Sequence, residues 1–231
     1  IPQKPHKEPK KKPQGDKPEQ NTSHQSPEKP NESTVPDKGA SSTEEALQFN
    51  LFHLLQSAGR SGKVSIAAKG LTSEGYEGHF FWDTESYVCP VFTYTAPAVA
   101  KKLLEYRASI LDKAKARAKE MSLKGALYPW RTISGEETSA YFPAGTAQYH
   151  INADIMFALN RYLNAHETDE GFDKAAVQEM AAETARMYAS LGSYTPHKGG
   201  AFCINDVTGP DEYTAIVNNN AFTNLMAREN L

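Results

Sequence analysis

The amino-acid composition changes abruptly near residue 43, and this change limits how much of the chain can build a hydrophobic core. Residues 1–43 hold 8 of the 14 prolines and 8 lysines but no Phe, Trp or Tyr. Such a segment buries too little apolar surface to offset the entropy that is lost on ordering. We therefore predict a disordered Lys/Pro-rich tail over residues 1–43 and a folded domain over residues 44–231. The basic run KEPKKK in the tail is typical of a solvated linker.

The charge and the cysteines exclude several classes of function. The formal net charge is −3, which gives no reason to expect nucleic acid or an anionic membrane as a partner. No apolar run reaches the roughly 18 residues that a membrane span needs, and no signal-peptide pattern opens the chain. Cys89 and Cys203 lie far apart without metal-ligand spacing, so we predict two reduced and packed thiols and no metal site.

Apolar residues recur at helical spacing through most of the folded part. The segment STEE offers a capping box, with Ser42 as the cap and Glu45 three positions on. Pro97 can open a helix that runs to about residue 121, and further helices are predicted over about 147–165, 172–191 and from about 218. No segment shows a convincing two-residue alternation or a hairpin signal. We therefore predict an all-α domain whose loops carry the chemistry.

The first of three informative loops is GLTSEGYEGHFFWDTES, residues 70–86. Trp82 offers a flat apolar face, and Asp83 offers a carboxylate for paired hydroxyls, which is what a sugar site needs. The alternative is structural: a core aromatic residue beside an aspartate that caps a helix explains the same pattern.

The second loop, residues 127–155, contains several polar and aromatic candidates: Trp130, Arg131, Glu136, Glu137, Tyr149 and His150. A lone histidine at the start of an apolar helix is more often a core residue than a catalyst. The two glutamates are most simply interpreted as solvated loop carboxylates.

The third loop, INDVTGPDEYT at residues 204–214, holds three carboxylates: Asp206, Asp211 and Glu212. Gly209–Pro210 enforces a bend just before Asp211 and Glu212. Asp206 can merely cap a turn, whereas Glu212 is a candidate general acid. Hydrolysis of a sugar with inversion would also need a second carboxylate to activate water.

Three long segments, in this order, resemble glycoside hydrolase family 65: KGLTSEGYEGHFFWDTE, YPWRTISGEETSAYFPAGTAQYHINADI and VTGPDEYTAIVNNNAFTN. That family contains the inverting α-glucoside phosphorylases, which act on maltose, trehalose, kojibiose, nigerose and relatives, and some acid trehalases. The resemblance runs from about residue 45 to the C-terminus. It implies an (α/α)6 barrel with the active site in loops at one end. Family members carry several hundred further residues, so we expect a fragment with about the first half of the barrel.

The resemblance also implies roles for individual residues. Glu212 of GPDEY matches the general acid, Trp82 and Asp83 match the pair that holds the transferred glucose, and His150 is expected to face the leaving sugar. Inorganic phosphate is then the nucleophile and co-substrate, so no second carboxylate is needed. The expected products are β-glucose 1-phosphate and a free sugar, with no metal or organic cofactor.

Several alternatives stay open at this point. The SAYFPAGTAQYHINADI version of the second loop resembles the kojibiose- and nigerose-type enzymes more than the maltose phosphorylases. A trehalase-like hydrolase of the same family, or an inactive carbohydrate-binding remnant, would share these motifs, because the phosphate-binding region is expected beyond Leu231. A half-barrel would expose apolar helix faces, so we expect poor stability and little activity in isolation. A cytoplasmic location and a homodimer of the full-length protein are further expectations.

Overall fold

The structure, a computed structural model, describes residues 42–167 and 171–231. The tail predicted over residues 1–43 falls outside these residues except for its last two positions. Those two positions belong to the start of the first helix, where Ser42 and Glu45 form the predicted capping box. The Ser42 hydroxyl accepts a hydrogen bond from the Glu45 backbone N–H at 3.1 Å, and the Glu45 carboxylate accepts one from the Ser42 N–H at 2.8 Å.

Helices dominate the described residues, which confirms the all-α prediction and agrees with part of an (α/α)6 barrel. A single π-helical turn, Thr84–Val88, leads directly into the second helix. The helices are α1 (Thr43–Ser57), α2 (Cys89–Thr95), α3 (Pro97–Ser109), α4 (Leu111–Glu120), α5 (Phe142–Gly145), α6 (Ile151–Ala165), α7 (Lys174–Leu191) and α8 (Ala221–Asn230). None of the described helices is long and apolar enough to cross a membrane.

The helix predicted over residues 97–121 is two helices. Pro97 does occupy the first turn of α3, as predicted, but α3 ends at Ser109. Ile110 then leaves the helical conformation with φ −103° and ψ 9°, and α4 begins at Leu111. Apolar residues before and after the break pack into the same core, so their spacing does not reveal the break.

A short antiparallel hairpin was not predicted. Its strands β1 (Ser193–Thr195) and β2 (Ala201–Cys203) pair with Ser193 opposite Cys203. The chain reverses through Gly199 and Gly200, whose φ angles are +68° and +76° and therefore suit glycine. Strands of three residues are too short to show an alternation, which is why the sequence carried no clear signal.

Helix α6 lies at the centre of the fold and packs against α2, α3, α7 and α8. Its buried face is mostly apolar and also contains Asn152 and Asp154, whereas none of the residues of α1 is buried. Leu47 and Leu51 of α1 are 57% and 47% exposed, in agreement with the expectation that apolar helix faces are exposed. Both cysteines are free and buried, as predicted, and burial raises the pKa of the Cys89 thiol to about 12.

Candidate active site

A cavity of about 920 Å³ collects residues from all three loops that the sequence singled out. Trp82 and Asp83 come from the first loop, Trp130 from the second, and Pro210 and Glu212 from the third. The remaining lining residues come mainly from α1 and from residues 66–72. The volume is in the range of about 300–1,000 Å³ that is common for small-molecule sites.

The tryptophan turn, which we define as residues 80–85, carries Trp82 and Asp83. Its start is tied to the second loop, because Phe80 and Thr132 exchange backbone hydrogen bonds of 2.7 and 3.2 Å. Trp82 is 7% exposed and packs within the main hydrophobic core, so it is both a core residue and a wall of the cavity.

Asp83 precedes the π-helical turn, but its side chain makes no capping hydrogen bond. Its carboxylate is exposed and has no hydrogen-bond or ion-pair partner among residues 42–167 and 171–231. The capping alternative is therefore not what the structure shows. An unpartnered carboxylate on a cavity wall is free to bind the hydroxyls of a ligand.

A buried ion pair fixes the end of the tryptophan turn. The Arg107 guanidinium donates two hydrogen bonds of 2.8 Å to the Glu85 carboxylate, and both side chains are fully buried. Arg107 also accepts a hydrogen bond from the Tyr128 hydroxyl through its backbone oxygen, at 3.1 Å. Sequence reasoning missed this pair. The available signal was an arginine on the apolar face of α3, next to Leu103 and Leu104.

Glu137 organises the loop that presents Trp130. Its carboxylate accepts backbone N–H bonds from Trp130 at 2.6 Å, Arg131 at 3.3 Å and Ser139 at 2.9 Å. Burial raises the pKa of Glu137, and these backbone donors oppose that effect. The interpretation of Glu137 as a solvated carboxylate is therefore wrong, because the loop closes around it. Glu136 is exposed, in agreement with that interpretation.

The acid loop, which we define as residues 206–213, carries Glu212. A backbone bond of 2.9 Å from Thr208 to Ala147 holds its base against the second loop. The Gln148 amide then donates a hydrogen bond of 2.7 Å to Glu212 Oε1. Glu212 is otherwise exposed and faces the cavity together with Pro210.

The other two carboxylates of the third loop do not line the cavity. Asp211 closes its own turn, because its Oδ1 accepts a hydrogen bond from the Tyr213 backbone N–H at 3.1 Å. Asp206 is held through its backbone, whose N–H donates to Asn218 Oδ1 at 3.0 Å. Glu212 is thus the only one of the three whose side chain the loop presents to the cavity.

His150 lies behind Trp82 and does not line the cavity. Its side chain is fully buried, and its ring meets the Trp82 ring edge-on at 4.9 Å between centroids. Its Nδ1 lies 2.6 Å from Asp154 Oδ2, and burial raises the pKa of that carboxyl while the hydrogen bond from His150 lowers it. Contact between His150 and a leaving sugar stays a prediction.

The cavity combines an aromatic wall with two exposed carboxylates: Asp83 has no partner in the described residues, and Glu212 accepts one hydrogen bond, from Gln148. Such a set can bind a sugar ring on its apolar face, grip its hydroxyls and supply a proton to a glycosidic oxygen.

Comparisons with known proteins give one consistent result. The model of the glycosyl hydrolase family 65 central catalytic domain matches residues 48–231. The alpha,alpha-trehalose phosphorylase of Thermoanaerobacter brockii is 60% identical over 195 residues, which are 84% of this chain and 25% of that protein. The kojibiose phosphorylase of Halothermothrix orenii is 41% identical over 201 residues, covering 80% of this chain and 26% of that protein.

A solved structure is also similar. A putative kojibiose phosphorylase from human microbiome matches with a TM-score of 0.73 and 33% identity, over 81% of this chain and 25% of that chain. The chain therefore spans about a quarter of the length of the relatives it matches.

Proposed function

Since the chain belongs to glycosyl hydrolase family 65, we propose that the protein containing it cleaves an α-linked glucose disaccharide with inorganic phosphate. The reaction proceeds with inversion and gives β-glucose 1-phosphate and a free sugar. The observation that supports this proposal best is the cavity that Trp82 and Asp83 from the first loop line together with Glu212 from the third. Phosphate is the co-substrate, and the mechanism requires neither a metal nor an organic cofactor.

Glu212 acts as the general acid. Its carboxyl group protonates the glycosidic oxygen while phosphate attacks the anomeric carbon from the opposite face of the ring. Phosphate is itself an anionic nucleophile and needs no base, so one proton donor is enough. Glu212 Oε1 is engaged by Gln148, which leaves Oε2 for the substrate.

Trp82 and Asp83 hold the glucose that is transferred. The indole ring offers an apolar face to the ring C–H groups, and the Asp83 carboxylate accepts hydrogen bonds from hydroxyls. Contacts to those hydroxyls that tighten as the ring flattens would stabilise the transition state more than the ground state. His150 contributes by packing against Trp82.

The disaccharide that we propose to test first is trehalose. The second loop alone favours kojibiose or nigerose as the disaccharide. The similarity to known relatives favours trehalose instead. Two alpha,alpha-trehalose phosphorylases, from Thermoanaerobacter brockii and Geobacillus stearothermophilus, are 60% and 59% identical to this chain, against 41% for the kojibiose phosphorylase named above. The higher identity over the aligned residues supports trehalose over kojibiose.

We place the reaction in the cytoplasm, because phosphorolysis conserves bond energy only where the sugar phosphate stays in the cell. A homodimer of the full-length protein stays a prediction. Its oligomeric state can be measured by sedimentation equilibrium.

The test uses the complete reading frame that contains these residues. The purified protein is incubated with trehalose, kojibiose, nigerose or maltose, with and without phosphate, and glucose 1-phosphate and free glucose are measured. We expect glucose 1-phosphate only when phosphate is present. Replacing Glu212→Gln should lower the rate by about 10²–10⁴-fold, because the proton donor is lost.

Asp211→Asn is the matched control, since Asp211 is the adjacent carboxylate and lies outside the cavity. It should retain the rate of the unaltered protein. Glucose release that is indifferent to phosphate would contradict the proposal and indicate a hydrolase of the same family. Binding of glucosides without either product would indicate an inactive remnant.

A further inference from the structure

The Gln148 side chain is buried although one of its polar atoms has no hydrogen-bond partner in the described residues. The residue is 4% exposed, and the atom without a partner is its amide oxygen. An unsatisfied buried polar atom costs about 1–3 kcal/mol. Among the residues that the structure describes, the one hydrogen bond of this side chain is the 2.7 Å bond from its Nε2 to Glu212 Oε1.

The Glu212 side chain, in contrast, is exposed and makes few contacts besides its hydrogen bond with Gln148. The adjacent Tyr213 is 99% exposed. Within residues 42–167 and 171–231, Gln148 is the only side chain that donates a hydrogen bond to the Glu212 carboxylate. The Thr208 backbone N–H donates a hydrogen bond of 2.9 Å to the backbone oxygen of Ala147, the residue before Gln148. This bond holds the acid loop beside the segment that carries Gln148. The orientation of Glu212 therefore depends on Gln148.

This hydrogen bond distinguishes the two oxygens of Glu212. An amide N–H can only donate, so Oε1 must act as an acceptor in both protonation states of the carboxyl group. The acidic proton then resides on Oε2, which has no partner in the described residues. In the cavity, Oε2 is the atom that is free to reach a glycosidic oxygen.

Resting on the function proposed above, we propose that Gln148 is a positioning residue that directs the proton of Glu212 onto Oε2. When the proton passes from Oε2 to the glycosidic oxygen, the bonding electron pair leaves with the departing sugar and the negative charge stays on Glu212. The hydrogen bond from the Gln148 amide becomes charge-assisted at that moment and is roughly twice as strong as before. Gln148 therefore stabilises the transition state more than the bound substrate.

The test replaces Gln148→Met in the full-length protein, which keeps the side-chain length and removes the donor. Two donor substrates are compared in the presence of phosphate: trehalose, whose leaving sugar needs a proton, and α-glucosyl fluoride, whose fluoride departs without one. We expect kcat on the disaccharide to fall by about 10–100-fold, the equivalent of one hydrogen bond to a charged group, with KM within about twofold. The rate with α-glucosyl fluoride should be almost unchanged.

Two controls accompany this variant. Gln178→Met makes the same change at an exposed position of α7 and should leave both rates unaltered. Gln148→Leu also removes the donor and fills the site with an apolar side chain of another shape, so it should show the same selective loss on the disaccharide. It serves as the second measurement if Gln148→Met does not fold.

The outcomes separate the two proposals. Equal losses on both donors would mean that Gln148 is only structural, and no loss on either would also overturn the positioning role. Glu212→Gln is measured in parallel on both donors. If that variant keeps full activity on the disaccharide, the proposed function fails, whereas an inactive Glu212→Gln beside a fully active Gln148→Met refutes the positioning role alone.

Discussion

The tryptophan turn and the acid loop meet at the same cavity but are held in very different ways. The tryptophan turn is fixed by the buried pair of Glu85 and Arg107 and by the backbone bridge from Phe80 to Thr132. In the described part of the chain a single hydrogen bond holds the Glu212 side chain, and its neighbour Tyr213 is almost fully exposed. The difference indicates that the turn proposed to bind the glucose is built into the core, whereas the loop proposed to deliver the proton is attached to the surface of that core.

The largest effect is expected at Arg107. The change Arg107→Met leaves the Glu85 carboxylate buried without its partner, which should lower the free energy of unfolding by about 3–5 kcal/mol. The measurement is urea unfolding of the chain, followed through its two tryptophans, both of which line the cavity. Because stability in isolation is expected to be low, a loss of this size should abolish cooperative unfolding.

The double variant Glu85→Leu with Arg107→Met is the matched control. It removes both charges and fills their space with apolar side chains, so much of the lost stability should return. A single variant as stable as the unaltered chain would contradict the claim that this pair anchors the tryptophan turn.

The change Asp83→Asn, in the same tryptophan turn, should lower activity without lowering stability. The side chain is exposed and has no partner in the described part of the chain, so the urea midpoint should not change. The kcat/KM of the full-length protein should fall by about 10–100-fold, because a charged acceptor for a glucose hydroxyl is lost. A variant that binds and turns over disaccharide normally would show that Asp83 does not contact the sugar.

The smallest effect is expected in the acid loop. Asp211→Ala removes the acceptor of the Tyr213 N–H, a local side-chain bond that contributes about 1 kcal/mol or less. We expect a small decrease of the urea midpoint and a kcat/KM within about threefold of the unaltered value. A loss as large as that of Arg107→Met would mean that the acid loop is also part of the core, and the contrast between the two regions would disappear.

Local patterns predicted the elements whose signals are local. The capping box at Ser42 and the helix start at Pro97 were confirmed, because each depends on residues within one helical turn. The break after Ser109 was missed because the apolar spacing continues across it. The hairpin of β1 and β2 was missed because strands of three residues are too short to show an alternation.

The convergence of Trp82, Asp83 and Glu212 on one cavity was expected only from the resemblance to a family, and no spacing rule would have produced it. Gln148 stood inside a quoted motif, yet nothing local shows that its amide reaches a carboxylate 64 positions further on. The same holds for Glu85 and Arg107, which are 22 positions apart. Partners of this kind are decided by tertiary packing.

We propose that phosphate attacks the glucose with inversion, and the anomeric configuration of the first product tests this proposal most directly. The full-length protein is mixed with trehalose and phosphate in an NMR tube, and the anomeric proton signals are followed from the start of the reaction. We predict that β-glucose 1-phosphate appears first, in step with one equivalent of free glucose. The appearance of α-glucose 1-phosphate, or of free glucose alone, would contradict the account.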